Sequence, residues 1–587
     1  MVNVTRIFDI HRRQKELFPT NNSLLSKIDG NWKSWSTNDF INQGCDISKG
    51  LLSIGIKAGD CISIISANRP EWNIMDLGML QIGVVNVPIY TTLSESEIAF
   101  ILNDCKAKII IAGDKALYEK VKNLQSKVPS LVDIYSFDKI EGVKNYLELI
   151  EKGKVGDSDI EARMKAVEPK DLATILYTSG TTGTPKGVML SHNNIVSNIT
   201  ASEHLCPVGP NDRALSFLPL CHSYERMLTY LYMFIGVSIY YAESMDKISD
   251  NLKEVKPQVF STVPRLLEKV YDKIVDKGKE LKGIKRALFF WALDLGLKYE
   301  KDGKNGWLYE MQLKLANKII FSKWREALGG NVRVIVSGGA ALQPRLARVF
   351  WSAGIPVLEG YGLTETSPVI TVNNLEVRGS AFGTVGPVIK GVEVKIAEDG
   401  EILCKGPNVM LGYFNRPDLT AEVIDANGWF HTGDIGCFVE DHYLKITDRK
   451  KEIFKTSGGK YVAPQALENK FKESLFIEQI MVVGENRKFP AALIVPDFAH
   501  LKKWCELHDI KYTSNEEMAQ MKEIIERIGK DVHQYNEEFG HSEQIKKFYL
   551  LNKEWTVDSG ELTATLKLKR KVIYEKYISQ IEKMYSE

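Results

Sequence analysis

The stretch Leu172-Ala173-Thr174-Ile175-Leu176-Tyr177 runs directly into Thr178-Ser179-Gly180-Thr181-Thr182-Gly183-Thr184-Pro185-Lys186-Gly187. The first part predicts a buried strand, and a helix is predicted to begin near Ser191 after a short apolar link. Glycine lets the main chain approach a ligand closely, so backbone N–H groups can surround anionic oxygens, and Lys186 adds a positive charge. We interpret the second part as a loop for the triphosphate of ATP.

Two other interpretations of this loop fit less well. A flexible Gly/Thr linker seldom lies between an apolar strand and a helix. A Walker A loop would need a Gly-Lys-Ser/Thr end that leads straight into a helix, whereas Lys186 is followed by Gly187 and Val188.

Length and composition limit the class of protein. A chain of 587 residues predicts two or more domains, and a net charge of +1 argues against nucleic-acid binding through bulk charge. No apolar run approaches the ~20 residues of a membrane span, and the N-terminus lacks a signal-like apolar region. The cysteines show no ligand spacing, which favours reduced thiols in the cytoplasm. They stand at positions 45, 61, 105, 206, 221, 404, 437 and 505.

Strand and helix patterns alternate from residue 61 to about 380, which predicts stacked, mostly parallel sheets covered by helices. After residue 380, Gly391–Ile396 and Glu401–Cys404 read as a hairpin and predict a small antiparallel or barrel-like part. We therefore expect an α/β protein with a large N-terminal domain (1–448) that carries a helical insertion at about 266–330. A smaller α+β domain (449–587) is expected to follow.

Three polar turns carry groups suited to a nucleotide. Ser337-Gly338-Gly339-Ala340-Ala341 could let a flat base lie against the chain, although a strand-ending Gly-Gly turn fits it equally. In Glu359-Gly360-Tyr361-Gly362-Leu363-Thr364-Glu365, Tyr361 could stack on adenine and Glu365 could hold Mg²⁺, which prefers oxygen ligands. Asp434, in Thr432-Gly433-Asp434, could accept hydrogen bonds from both ribose hydroxyls; a backbone-capping aspartate on a tight turn is the alternative.

The order of these motifs, from residue 177 to residue 570, resembles the adenylate-forming superfamily of acyl-CoA synthetases, peptide-synthetase adenylation domains and luciferases. The segments Lys455–Tyr461 and Thr565–Arg570 are similar in particular to long-chain fatty acyl-CoA synthetases. The resemblance implies that ATP and a fatty acid form an acyl-adenylate and pyrophosphate, and that coenzyme A then takes the acyl group. Its cofactors would be ATP, Mg²⁺ and coenzyme A.

The resemblance also implies roles for single residues. Arg449 would contact ribose, and Lys451 would be the hinge, within 448–451, about which the small domain rotates between the two half-reactions. Lys567 would be the adenylation lysine, although Leu566 replaces the usual glycine and both Lys569 and Lys571 lie nearby. His222 would line the acyl and adenylate site. Gly458, Gly459 and Lys460 would serve the thioester half-reaction, and Lys460 replaces the glutamine that many relatives carry.

The candidate residues fall into four groups. The predicted catalytic residues are Lys567, Thr178, Lys186, Glu365 and His222. The predicted metal ligands are Glu365 and Thr178. The predicted residues of the thioester half-reaction are Gly458, Gly459 and Lys460. The predicted ATP- and AMP-binding residues are Thr178, Ser179, Gly180, Thr181, Thr182, Gly183, Thr184, Lys186, Gly338, Gly339, Ala340, Glu359, Gly360, Tyr361, Gly362, Thr364, Asp434 and Arg449.

Two alternative functions stay open: an enzyme that loads fatty acids onto a carrier protein in trans, and a non-catalytic nucleotide-binding scaffold.

The insertion is also open to two interpretations. Residues 266–330 contain 14 Lys or Arg and 9 Asp or Glu, an excess of five positive charges. This charge and its apolar helical faces suit the surface of an anionic membrane, but a helical subdomain packed on the main body is the more ordinary interpretation. A homodimer is a further open alternative.

Overall fold

A computed structural model describes residues 3–179, 185–557, 559–563 and 567–586. It divides into two compact units. Unit 1 comprises residues 1–394, 404–431 and 439–444, and unit 2 comprises 395–403, 432–438 and 445–587. The boundary between residues 448 and 449 stays a prediction. The predicted loop residues Gly180, Thr181, Thr182, Gly183 and Thr184 lie outside the described residues.

The strands, in chain order, are β1 (Leu24–Ile28), β2 (Asn31–Trp35), β3 (Cys61–Ile65), β4 (Val85–Ile89), β5 (Ile109–Ala112), β6 (Asp133–Ser136), β7 (Lys144–Asn145), β8 (Leu172–Ser179), β9 (Pro185–Ser191), β10 (Arg213–Ser216), β11 (Ser238–Tyr241), β12 (Val259–Thr262), β13 (Val334–Ser337), β14 (Val357–Gly362), β15 (Val369–Val372), β16 (Glu393–Ile396), β17 (Glu401–Lys405), β18 (Gly412–Tyr413), β19 (Phe430–Val439), β20 (Tyr443–Arg449), β21 (Phe454–Lys455), β22 (Tyr461–Val462), β23 (Ile477–Val483), β24 (Ala491–Pro496) and β25 (Lys547–Leu550).

The α-helices are α1 (Ile7–Leu17), α2 (Thr37–Ser53), α3 (Pro70–Leu80), α4 (Glu95–Asp104), α5 (Lys115–Val121), α6 (Leu147–Lys154), α7 (Ile160–Ala166), α8 (His192–Ser202), α9 (Ser223–Phe234), α10 (Ile248–Val255), α11 (Pro264–Glu280), α12 (Gly283–Leu297), α13 (Trp307–Ala316), α14 (Ser322–Ala327), α15 (Pro344–Ser352), α16 (Pro417–Val423), α17 (Pro464–Phe471), α18 (Phe498–Leu507), α19 (Asn515–Met518), α20 (Lys522–Asn536), α21 (Arg570–Lys576) and α22 (Ile578–Ser586).

Two mixed sheets form the framework of unit 1. The first has the strand order β15-β14-β13-β12-β10-β11-β1-β2, and its interior pairs are parallel. The second has the order β18-β9-β8-β4-β3-β5-β6-β7, with parallel pairs from β8 to β7. Interior strands such as Cys61–Ile65 are buried along their whole length, as expected when helices cover both faces. The predicted α/β class with mostly parallel sheets is confirmed.

The apolar link after the phosphate loop is itself a strand. β9 pairs antiparallel with β8, so that Thr178 lies opposite Lys186 and Ser179 opposite Pro185, and β9 pairs on its other side with β18. The sequence predicted this segment only as a short apolar link, because its second strand partner lies more than 200 residues further along the chain. The helix start was predicted correctly: Ser191 caps α8 through a hydrogen bond from the N–H of Asn194.

The insertion forms helices α11 to α14, with a π-helical turn at Asn317–Phe321. Leu267 and Tyr271 of α11 and Phe289 and Leu293 of α12 are buried in the same core as Phe350 of α15. Most of the insertion is therefore a helical subdomain packed on the main body within unit 1. None of the helices in the described residues is long and apolar enough to cross a membrane.

The hairpin predicted after residue 380 is present as β16 and β17, in a sheet of order β16-β17-β19-β20. The C-terminal part of unit 2 contains a sheet of order β23-β24-β25 with its own core. Met518, Met521, Ile525, Ile528 and Val532 recur at helical spacing, which predicts one continuous helix. In the structure, however, α19 ends at Met518 and α20 begins at Lys522. As a consequence Ile525, expected on the apolar face, is exposed, whereas Ile524 and Ile528 are buried.

All eight cysteines are free thiols. Six of them are buried, Cys45 is half-buried, and Cys437 of β19 is exposed. Five of the six buried thiols belong to the apolar cores.

Candidate active site

Three predicted segments of unit 1 lie at the same edge of the first sheet. Because β10, β12, β13 and β14 run parallel, their carboxyl ends meet at one edge. Gly338 follows β13, Glu359 to Tyr361 form the last part of β14, and His222 follows β10 after a short loop. The carboxyl edge of a parallel sheet is the usual place for a ligand in such folds.

At the Gly338–Gly339 turn, the backbone packs closely against an aromatic ring. A Cβ atom added to Gly338 would lie 3.2 Å from Cζ of Tyr224, and Gly339 has φ +83, a conformation that favours glycine. The Tyr224 hydroxyl donates to the carbonyl of Val336 at 2.9 Å, which holds the ring beneath the turn. The strand ends at this turn, and Gly339 and Ala340 are exposed; binding of a base here stays a prediction.

The predicted metal ligand Glu365 lies in a 3₁₀ turn between β14 and β15. The Tyr413 hydroxyl, from β18 of the second sheet, donates to its Oε1 at 2.9 Å. The Nζ atom of Lys186 lies 5.2 Å from the centre of the Tyr413 ring. Burial raises the pKa of Tyr413 well above its usual value, and the charge of Glu365 adds to this effect. Tyr413 thus lies between the predicted lysine and the predicted carboxylate.

The donor set of Glu365 is compatible with magnesium. No described residue donates to its second oxygen, Oε2, and the side chain is half-buried. A hard cation prefers such a carboxylate oxygen and usually completes its shell with phosphate oxygens and water. In the described residues no group of three or more His, Cys, Asp or Glu side chains forms a cage of its own, so a cation here would depend on a phosphate ligand.

His222 caps the N-terminus of α9, where its Nδ1 accepts from the N–H of Tyr224 at 3.2 Å. Ser223 of the same turn lies 3.4 Å, between hydroxyl oxygens, from Thr364. Below this turn, the buried carboxylate of Glu225 accepts hydrogen bonds from Ser216 and Ser261. The histidine turn is therefore fixed to the 3₁₀ turn that carries Glu365.

Glu359 is buried at the end of β14. Burial raises its pKa to about 8, while the N–H of Leu342, which hydrogen-bonds the carboxylate, and the charge of Lys301 act in the opposite direction. The backbone of Glu359 is also held, since its carbonyl accepts from the N–H of Asn373 at 2.8 Å. This side chain belongs to the framework behind the turns rather than to an exposed surface.

In unit 2, the predicted ribose ligands contact each other. The Nε of Arg449 donates to Oδ1 of Asp434 at 2.9 Å. Asp434 lies within the long strand β19, not on a tight turn as predicted, because the strand continues through Gly433 with φ +72. Glu401 holds this irregular residue: its Oε1 accepts from the N–H of Gly433 at 2.9 Å, and its Oε2 accepts from Lys450 at 2.8 Å.

The predicted hinge follows β20. Lys451 is exposed in a turn, next to the buried carboxylate of Asp448. Asp448 accepts from the backbone N–H groups of Arg449 at 2.6 Å and Gln465 at 3.1 Å. Burial raises the Asp448 pKa to about 6, which the two N–H donors partly oppose. These two hydrogen bonds hold the backbone directly before Lys451.

The predicted thioester residues form the tip of the β21–β22 hairpin. Gly458, Gly459 and Lys460 are exposed, and the N–H of Thr456 donates to the carbonyl of Lys460 at 2.9 Å. The neighbouring Tyr461 ring is exposed and lies 4.5 Å from Nζ of Lys455. The hairpin tip therefore exposes the glycine backbone and the Lys460 side chain.

Lys567 is exposed, and its backbone N–H donates to Oγ1 of Thr563 at 3.0 Å. Leu566 lies outside the described residues. Of the competing lysines, Lys569 caps α21, and Lys571 lies on α21 with Nζ 4.0 Å from Glu575. Which of these lysines serves adenylation stays a prediction.

The sequence interpretation missed two residues of this site. Tyr413 belongs to Leu411-Gly412-Tyr413-Phe414, which carries no phosphate or metal pattern, and Tyr224 follows His222 without any distinctive spacing. Only the pairing of β18 with β9 brings Tyr413 beside Lys186. Of these two residues, only Tyr224 could have been found from the sequence, because it is an aromatic residue in the segment that contains His222.

Comparison with known proteins gives consistent results. The AMP-binding enzyme family matches residues 12–414, and the AMP-binding enzyme C-terminal domain matches residues 451–587. Long-chain-fatty-acid–CoA ligase FadD15 of Mycobacterium bovis is 36% identical over 566 residues, which are 95% of this chain and 93% of that protein. Long-chain-fatty-acid–CoA ligase 1 of Homo sapiens is 34% identical over 579 residues, with 92% and 80% covered.

The fold has solved counterparts. The crystal structure of the anthranilate CoA ligase AuaEII in complex with anthranoyl-AMP matches with a TM-score of 0.73, at 18% identity and with 97% of each chain covered. This likeness supports the architecture, and the sequence matches carry the family assignment. The chain therefore belongs to the AMP-binding, adenylate-forming enzymes, in the group of the long-chain fatty acid–CoA ligases.

Proposed function

We propose that this enzyme activates a long-chain fatty acid with ATP and transfers the acyl group to coenzyme A. A carboxylate oxygen of the fatty acid attacks the α-phosphorus of ATP, and the bond to pyrophosphate breaks. The thiol sulfur of coenzyme A then attacks the acyl carbon, its proton passes to solvent, and AMP leaves with the electron pair of the broken C–O bond. The observation that carries this proposal is the Lys186–Tyr413–Glu365 arrangement next to the phosphate loop.

The side chains of the site have separate tasks. Lys186 attracts the phosphates, Tyr413 orients Glu365, and the exposed backbone at Gly339 and Ala340 offers a surface for a flat base. Magnesium, held by Glu365 and Thr178, would neutralise charge on the phosphate oxygens. Asp434 and Arg449 would bind ribose, and Lys567 would bridge the carboxylate and the α-phosphate before the small domain rotates about Lys451.

The test is a panel of acids from acetate to palmitate and oleate. Pyrophosphate release and acyl-CoA formation are measured with coenzyme A or with a phosphopantetheinylated carrier protein as acceptor. We expect release with the long acids and a preference for coenzyme A. Preference for the carrier would favour the loading enzyme, and absence of pyrophosphate release with every acid would favour a non-catalytic scaffold.

We also propose a cytoplasmic location with peripheral contact to an anionic membrane through helix α13. Trp307, Leu308, Met311 and Leu315 are between 51% and 70% exposed and recur at helical spacing, so they share one face. Lys314 and Lys318 flank this face. An exposed apolar stripe with basic neighbours suits lipid headgroups and acyl chains, which would bring the enzyme to its substrate. The free thiols fit a reducing compartment.

Vesicle flotation tests this contact. The double variant Trp307→Glu/Met311→Glu is expected to lose binding to vesicles that contain phosphatidylglycerol. The control Val155→Glu/Leu507→Glu changes two residues that are exposed elsewhere and is expected to bind as the unaltered enzyme does. If the unaltered enzyme does not float, lipid contact is excluded; a concentration-dependent dimer that Trp307→Glu/Met311→Glu abolishes would assign the face to a second copy.

A further inference from the structure

Asp104 is an unusual last residue for a helix, because it places a carboxylate at the C-terminus of α4. The helix dipole disfavours a negative charge at this end, and aspartate ranks low in helix propensity. Local helix stability therefore does not explain this side chain, whereas its partners outside the helix do. The hydroxyl of Tyr177 donates to Oδ2 of Asp104 at 2.5 Å, and Nδ2 of Asn415 lies 3.2 Å from the Asp104 carbonyl oxygen and 3.3 Å from Oδ1.

Both partners of Asp104 stand next to residues that the proposed function uses. Tyr177 lies on β8 directly before Thr178, and Asn415 follows β18, two residues after Tyr413. Asp104 precedes Tyr177 by 73 residues and Asn415 by 311 residues. One side chain therefore joins three distant segments of unit 1.

A second set of contacts joins the same two strands through Gly187, the residue after Lys186. The Tyr177 ring packs over this glycine, since a Cβ atom added there would lie 3.1 Å from Cζ of Tyr177. On the other side, the carbonyl of Gly187 accepts from the N–H of Phe414 at 2.7 Å. The two segments are therefore connected twice, once through Gly187 and once through Asp104.

The hydrogen bond between Tyr177 and Asp104 is expected to be the stronger of the two contacts. Tyr177 is buried, whereas Asp104 is half-buried and Asn415 is exposed. A hydrogen bond to an ionised carboxylate is short and strong, and loss of the acceptor would leave a buried hydroxyl unsatisfied. Asp104 is therefore expected to act mainly on β8 and less on the segment after β18.

We propose that Asp104 is a positioning residue for the triphosphate of ATP, which holds Tyr177 and Asn415 and so keeps Lys186 and Tyr413 in place. This inference rests on the proposed function and extends it, because it gives a phosphate-specific role to a residue outside the motifs. Asp104 itself touches no substrate in this scheme. The residues proposed for the base and the ribose lie on or after other strands, so the effect falls on the outer phosphates, which AMP lacks.

The variant Asp104→Ala removes the carboxylate from both contacts. We expect the KM for ATP to rise about tenfold, as is typical when a hydrogen bond to a charged group is lost. The Mg²⁺ concentration for half-maximal adenylation should rise as well, because Lys186 and Tyr413 lose a common support. The Kd of AMP is expected to stay unchanged. Glu95→Ala, which removes an exposed carboxylate from the first turn of the same helix, is the matched control and should change none of these values.

A comparison of two ligands separates positioning from a general loss of stability. α,β-Methylene-ATP cannot be cleaved between its α- and β-phosphates, so calorimetry without a fatty acid can compare it with AMP on the same protein. A purely structural role would weaken the binding of both ligands or of neither, whereas positioning of the phosphate loop weakens only that of the triphosphate. Equal changes in the two Kd values of Asp104→Ala, or no change in either, would overturn the inference.

Variants of the two partners divide the role of Asp104. Tyr177→Phe removes the buried hydroxyl, and Asn415→Gly removes the amide at a position with φ +54, which glycine adopts readily. Tyr177→Phe should raise the KM for ATP more than Asn415→Gly, and in combination with Asp104→Ala it should add no further loss. Additive losses in that double variant would contradict the scheme. Should Asp104→Ala fail to fold, Tyr177→Phe decides alone, and an unchanged KM for ATP in that variant is the contrary result.

The two proposals fail in different ways. An unaltered enzyme that binds α,β-methylene-ATP but releases no pyrophosphate with any acid contradicts the proposed function. An active enzyme whose Asp104→Ala variant binds both α,β-methylene-ATP and AMP normally contradicts only the role of Asp104.

Discussion

Arg449 and Asp434 are joined by a hydrogen bond from Nε to Oδ1 at 2.9 Å, across the neighbouring strands β20 and β19. Asp434 is buried, whereas Arg449 is partly exposed. The guanidinium therefore orients the carboxylate at a partly exposed position. A diol could be held between an acceptor and a donor fixed in this manner.

Asp434→Asn tests this arrangement. The amide has the same shape but lacks the charge, so we expect the KM for ATP to rise by roughly tenfold or more, because hydrogen bonds to charged groups are worth about 1.5–3 kcal/mol. The measurement is pyrophosphate release against ATP concentration. Asp441→Asn, in the exposed turn between β19 and β20, is the control. Equal KM values for the two variants would remove Asp434 from the site.

Tyr413→Phe removes the hydroxyl that hydrogen-bonds Glu365 and leaves the ring beside Lys186. The carboxylate then loses its orientation, and we expect a higher Mg²⁺ concentration for half-maximal rate. Glu365→Gln should be more severe, with a loss on the order of 10²–10³-fold in kcat, as is typical when one electrostatic stabiliser is removed. The magnesium titration of adenylate formation checks both. A Tyr413→Phe enzyme with an unchanged magnesium requirement would contradict the orienting role.

Lys567→Ala is expected to damage adenylate formation more than thioester formation from preformed acyl-adenylate. Its positive charge would be needed only while the carboxylate and the α-phosphate are being joined. Hydroxamate trapping measures the first half-reaction, and acyl-CoA yield measures the second. Lys571→Ala, on α21, serves as the control. Equal damage to both half-reactions by Lys567→Ala would count against its assignment.

Lys451→Pro restricts the backbone in the turn after β20, because proline fixes φ. If the small domain rotates about this residue, adenylation should survive while thioester formation falls. Pyrophosphate exchange measures adenylation, and thioester yield measures the second half-reaction, so the two are assayed separately. Lys460→Ala, at the hairpin tip, removes a charge without restricting rotation and should lower thioester yield less. Loss of both activities in Lys451→Pro would instead indicate a folding defect, which thermal unfolding would reveal.

Glu225 predicts a pH dependence of stability. Burial raises its pKa to about 7, although the hydroxyls of Ser216 and Ser261 oppose the shift. The folded protein therefore retains a proton that the unfolded chain releases near pH 4.5, so the free energy of unfolding falls as the pH rises between these values. Relative to Glu225→Gln, the unaltered protein should lose about 3 kcal/mol of stability over this range. Urea unfolding followed by tryptophan fluorescence would measure the difference, and parallel curves for the two proteins would contradict the expectation.

The sequence predicts most strands of unit 1, because fully buried parallel strands are short apolar runs such as Cys61–Ile65 and Val259–Thr262. It also identifies Lys186 and Glu365 from motif chemistry. It does not identify Tyr413, because the partners of this residue lie far away in the chain and only the pairing of β18 with β9 brings them together. The interruption between α19 and α20 was missed because the apolar spacing continues through it.

The distribution of thiols has a practical consequence for spectroscopy. Among the eight cysteines, only Cys437 is exposed, and it stands three residues after Asp434 on the same strand. A maleimide fluorophore should therefore attach mainly at this position without prior removal of the other thiols, since buried sulfur atoms react slowly. The emission of the dye would report on occupancy of the predicted ribose subsite. With a second label, distance measurements would show whether the small domain rotates during turnover.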